Sequence, residues 1–247
     1  MYRIVFVMFV LAACSTGQKK KTIANKVIHE TLVDGEKVND TDLISAEAGK
    51  DFYYVVYIEH NRQSPSYKAV LDFKPDSNEK SDYQENYKVA KEYTPAKFKK
   101  YDLSDLPKEW LPLYLHKGKY YLYAPSDWGN LGRRVLTDST IVYWPMDGPT
   151  PFPVMALKKP NKDTYNFKLH SAYDTTTSQL IIHIIEPKNK IAVWENQGQK
   201  GPYRYSLFVP RQNAKNFDMV VSYCKTSKTA EFQFDNIDYA TLLKGIK

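Results

Sequence analysis

Glycine, histidine and cysteine are scarce in this 247-residue chain, at 10, 5 and 2 copies. Neither of the glycine-rich patterns that cradle a nucleotide phosphate on backbone N–H groups occurs. Two cysteines cannot make a disulfide scaffold, and a chain this long needs none, because it can bury a sizeable core. The histidines, His29, His60, His116, His170 and His183, stand far apart. No His-Glu-x-x-His, His-x-His or Cys-x-x-Cys spacing joins them into a metal site. No metal and no cofactor is therefore expected. No apolar run approaches the 18 or more residues of a membrane span. The formal charge is +7, but the basic residues are dispersed. They form no stripe with interleaved aromatics, so nucleic acid is not an expected partner.

What the chain does have is aromatic: 20 Tyr, 11 Phe and 4 Trp, or 14%. Tyrosine suits half-buried pleated surfaces and contact surfaces alike. The other conspicuous feature is the start. Arg3 precedes ten apolar residues, Ile4 to Ala13, and Cys14 follows directly. That is the order of a signal peptide, too short to span a bilayer. Leu11-Ala12-Ala13-Cys14 resembles the lipobox of bacterial lipoproteins. The resemblance implies cleavage before Cys14, diacylation of its thiol and acylation of the new amino group. Two or more acyl chains hold a protein stably on a membrane. Ser15 follows, not Asp, and the next residues carry no acidic run. By the same resemblance the protein sits in the outer membrane and faces the periplasm. Residues 1–13 are thus read as leader, 14–25 as a flexible tether and 26–247 as one β-rich domain.

Within that domain, short apolar segments alternate with turn signals. Strands are expected at 26–33, 52–59 and 67–73. Ten more are expected between 119 and 234, spaced like a meander. Tyr165, Phe167 and Leu169 fall on one face, as do Tyr205, Leu207 and Val209, which is the period of two of a half-buried strand. Consecutive strands of this kind pair antiparallel. The fold class is mainly β, an antiparallel meander closing into a lipocalin-like barrel (in architecture only) or a β-sandwich. One or two short helices are expected, at 83–91 and at 236–244, with a helical turn at 103–110.

The densest chemistry lies in 110–153. Tyr121, Tyr123, Trp128, Tyr143 and Trp144 are interspersed with Asp127 and Arg133. Flat aromatic faces stack on apolar or sugar ligands, and charged groups fix orientation. These seven residues are the candidate ligand site, with Cys14 the lipid attachment point. The expected role is non-catalytic binding of an apolar or glycan-like ligand by a membrane-anchored envelope protein. Two other roles compete: a scaffold with an envelope protein partner, and a hydrolase of envelope polymers. The hydrolase would need paired carboxylates across a cleft. Cys224, in an apolar run, is read as a buried thiol.

Overall fold

The computed structural model describes residues 41–48, 53–94, 98–126, 132–145, 148–224 and 231–245. The leader, the tether, the expected strand at 26–33, Cys14, Asp127 and Trp128 lie outside the described residues.

Eight strands form a closed ring. In order around it they are β3 (Glu109–His116), β11 (Tyr205–Pro210), β10 (Ile191–Gln197), β9 (Thr177–Glu186), β8 (Thr164–His170), β7 (Thr150–Asn161), β6 (Thr140–Tyr143) and β5 (Arg134–Leu136). The ring closes because β5 pairs back onto β3, Trp110 opposite Arg134. Every pair in the ring is antiparallel. Closure removes free strand edges, and the eight-strand number leaves room inside for side chains. They fill it. Trp110, Phe167, Leu180, Ile182 and Trp194 are each at most 1% exposed. The two indoles meet edge to face, centroids 5.7 Å apart. Full burial of such side chains stabilises the fold by about 1.5–3 kcal/mol each.

A second, four-stranded sheet lies against the outer wall. Its order is β1 (Thr41–Ala48), β2 (Tyr53–Glu59), β12 (Met219–Cys224) and β4 (Lys119–Ala124). β3 belongs to both parts. Its first half pairs within the barrel, and residues 114–116 pair with β4. The two-residue turn between them has Lys117 at φ 49° and Gly118 at φ 77°. Two positive φ values make the tight hairpin whose twist matches the strands. Leu111, Leu113, Val193, Leu207 and Val209 of the barrel wall share one core with Val55, Leu122, Met219 and Val221 of the sheet. Tyr67, Val70 and Leu71 of helix α1 (Pro65–Leu71) join the same core.

Several expectations are corrected. The strand at 67–73 is helix α1. Ser64 caps it and Pro65 starts it, the usual opening pair of a helix, and its buried residues follow a three–four spacing. The helix at 83–91 is longer: α2 spans Ser77–Tyr93. Asp76 and Glu79 close a reciprocal capping box with two 2.8 Å bonds. The helical turn expected at 103–110 is confined to one hydrogen-bonded turn, the Leu106 N–H donating to the Leu103 carbonyl at 3.0 Å, and the chain enters β3 at Glu109. β12 and β4 run parallel. Residues 231–234, expected as strand, run as a strap without regular structure, tied at Asp235 to Leu115. The last helix, α3 (Tyr239–Lys244), is capped by Asp238 and stops at Gly245.

Candidate functional site

The two ends of the barrel differ. At one end the chain segment 101–107 folds across. Leu106 is buried among the interior residues, with Tyr101 and Leu103 packed beside it. The Tyr101 hydroxyl donates to the Met155 carbonyl at 2.7 Å, and the Trp110 indole N–H to the Pro107 carbonyl at 2.7 Å. A cavity of about 750 Å³ flanks this plug. Its carboxylates are already neutralised. Asp105 meets Lys159 and accepts from the Tyr165 hydroxyl at 2.9 Å, Asp138 pairs with Lys100 at 2.8 Å, and Glu109 pairs with Arg133 at 2.8 Å. Charges satisfied in this way hold a loop down and offer little to a ligand.

The other end is built around Arg134. On β5 its side chain shares the inward face with Leu136, so it enters the barrel mouth. The guanidinium carbon lies 3.9 Å from the centroid of the Tyr143 ring and 5.6 Å from that of Phe208. Nη1 donates to the Gly132 and Arg133 carbonyls at 2.8 and 3.1 Å. The Tyr143 hydroxyl donates to Asn196 Oδ1 at 3.1 Å. Burial pushes the Arg134 pKa below its ordinary value, and only Tyr143 and Tyr114 act against that. Among the described residues no carboxylate is paired with this cation. Arginine stays protonated in proteins, so a positive charge sits at the barrel mouth.

Beside it opens a cleft of about 530 Å³. Arg134, Tyr114, Tyr205, Phe208, Phe234 and Tyr239 are among its lining. Tyr114 stacks on Phe234 with centroids 4.5 Å apart, and Tyr205 stacks on Tyr239 at 5.2 Å. Burial pushes the phenols of Tyr114 and Tyr239 up to about 12, so both stay neutral donors. The strap forms one wall. Asp235 N–H donates to the Leu115 carbonyl at 2.9 Å, and its carboxylate accepts the Lys117 N–H at 2.6 Å. An aromatic cleft of this size, with Arg134 and Asp235 as the charged residues of its described lining, has the composition of a small-molecule site.

The candidate residues from sequence do not converge on one place. Tyr143 is at the barrel mouth, against Arg134. Tyr121 and Tyr123 lie on the outer face of β4, packed with Phe232 and Phe234 of the strap. The Tyr123 hydroxyl donates to Glu231, and Ser126 donates to the other oxygen of that carboxylate at 2.7 Å. Arg133, 4% exposed, points the opposite way from Arg134. It pairs with Glu109, donates to the Val70 carbonyl and lies over Phe73 at 5.0 Å. It therefore braces α1 and β5. Trp144 packs edge to face on Phe73 at 5.4 Å and faces α2 across a shallow apolar groove. Arg134 was missed as the anchoring charge. The alternation Arg134-Val135-Leu136 was the signal, since it puts the arginine on the same face as an apolar core residue. Among the described residues, no three His, Cys, Asp or Glu are placed to hold a metal ion.

Comparison with family models, with curated proteins and with solved structures finds no match to this chain.

Proposed function

We propose that this is a lipid-anchored envelope protein that binds a small ligand without transforming it, and that the ligand occupies the aromatic cleft beside the barrel mouth. The 530 Å³ cleft carries this reading, because two stacked ring pairs line a concave surface while the barrel interior is filled. The anchor rests on Leu11-Ala12-Ala13-Cys14. An outer-membrane position facing the periplasm follows from Ser15 and the absence of acid after it. No reaction is assigned.

Native mass spectrometry on the protein exposed to an envelope lipid and metabolite extract tests the reading. Asn236→Trp places an indole at an exposed position of the cleft lining. A small-molecule adduct lost in that variant is expected, and an adduct that persists there would refute the cleft. Growth in labelled palmitate should mark the protein, with Cys14→Ser abolishing the label.

A second reading, a scaffold in an envelope assembly, draws on the filled barrel and on Tyr203, 75% exposed. Crosslinking in intact envelopes that yields one abundant protein adduct would select it.

A further inference from the structure

We propose that the ligand is an aromatic carboxylate and that Arg134 receives its carboxylate group. This rests on the cleft reading above and deepens it.

A half-buried cation with no described carboxylate beside it is unfavourable, and pairing it with a carboxylate recovers part of that cost. Arg134 is surrounded by rings and two backbone carbonyls, which soften the penalty without supplying a negative charge. Its neighbour Arg133 shows how this fold treats an arginine that serves structure: it is given Glu109. Among the described residues Arg134 is given no such partner, and it lines a cavity.

The number of charges sets the ligand class. Arg134 is the one cation among the described residues lining this cleft. A phosphate dianion would call for a second. One arginine matches one carboxylate, in the planar two-point geometry that guanidinium favours. Asp235, also in the lining, has its carboxylate capped by the Lys117 N–H, and it is absent from the groups that act on Arg134. The body of the ligand follows from the walls. Tyr114, Phe234, Tyr205 and Tyr239 offer flat faces, which suit a fused or substituted ring.

The test uses a matched pair, 2-naphthoate and 2-naphthamide, titrated against the protein by calorimetry and by quenching of intrinsic fluorescence. The two share a ring system and differ in charge. The acid is expected to bind at least tenfold tighter than the amide. Arg134→Gln should remove that preference, and Arg134→Lys should restore part of it. Asn236→Trp should weaken both. The acid-to-amide ratio in the unsubstituted protein needs no variant, so a folding defect in Arg134→Gln cannot mask the result. Equal binding of acid and amide, both blocked by Asn236→Trp, would overturn the carboxylate assignment and leave the cleft standing. Binding of neither compound, or binding untouched by Asn236→Trp, would overturn both.

Discussion

The plugged end of the barrel and its open end use the same materials for different purposes. At the plugged end, rings and charges are spent on each other: Trp110 donates to Pro107, Tyr101 to Met155, and Asp105 meets Lys159 and Tyr165. At the open end, rings stack in pairs around a hollow and, among the described residues, no carboxylate meets the central charge. Satisfied polar groups in a packed setting hold a structure together. An unpaired charge beside a cavity is a cost to the fold that a binding partner offsets. The contrast between the two ends, more than either alone, separates scaffold from site.

The largest expected effect lies at the plugged end. Trp110→Ala removes a fully buried indole and leaves a void where interior rings meet. It should lower stability by about 3–5 kcal/mol, read by chemical denaturation. A loss under about 1 kcal/mol would mean that the interior is not packed as described.

The adjacent arginines come next. Arg133→Met takes the nearer cation from Glu109, which keeps Arg211 at 3.8 Å and partial solvation, and removes the guanidinium donor of the Val70 carbonyl. The cost should be about 1–3 kcal/mol. Arg134→Met removes an unpaired cation and should cost less than about 1 kcal/mol, because what is lost is offset by the desolvation relieved. If Arg134→Met proved the more destabilising of the two, Arg134 would be a brace, and the difference between the barrel ends would vanish.

The smallest effect serves as a control away from both ends. His60 lies between Asp218 and Asp42, 3.2 Å from each. Burial acts to lower its pKa, but the bonds to the two carboxylates together outweigh it, and the net shift is upward. A histidine that holds its proton more tightly when folded adds stability in full below its unfolded value near 6.5. That contribution fades as pH rises through the higher folded value. With screening at this half-buried pair, it should amount to about 0.5 kcal/mol. His60→Asn should flatten the stability profile from just below neutral pH upward and leave ligand binding unchanged.

Much of the barrel could be read from the chain. β8 to β11 are consecutive, separated by turns, and alternate cleanly, so period two and adjacency suffice. The side sheet could not be read in the same way. β1 and β2 are neighbours in the chain, but β2, β12 and β4 come from distant parts of the sequence, and one pairing is parallel. Local pattern carries no signal for such a match. α1 was misread because Tyr67, Ala69, Leu71 and Phe73 alternate over a short window, while the 67/70/71 spacing and the cap at Ser64 and Pro65 carried the deciding information. At the site, aromatic density drew attention to 110–153, which holds Tyr114, Arg134 and Tyr143. It could not distinguish Tyr121 and Tyr123, packed under the strap, from rings around the cleft. Phe234 and Tyr239 arrive from the far end of the chain, so only the fold brings them to Arg134.

The most direct measurement is the position of a heavy atom. Crystals of the protein soaked with 6-bromo-2-naphthoate would locate bromine by its anomalous signal. The account predicts one peak between the Tyr114–Phe234 and Tyr205–Tyr239 pairs, with the carboxylate against Arg134. A peak inside the barrel beside Trp110 and Trp194, or none in the cleft at saturating ligand, would contradict it.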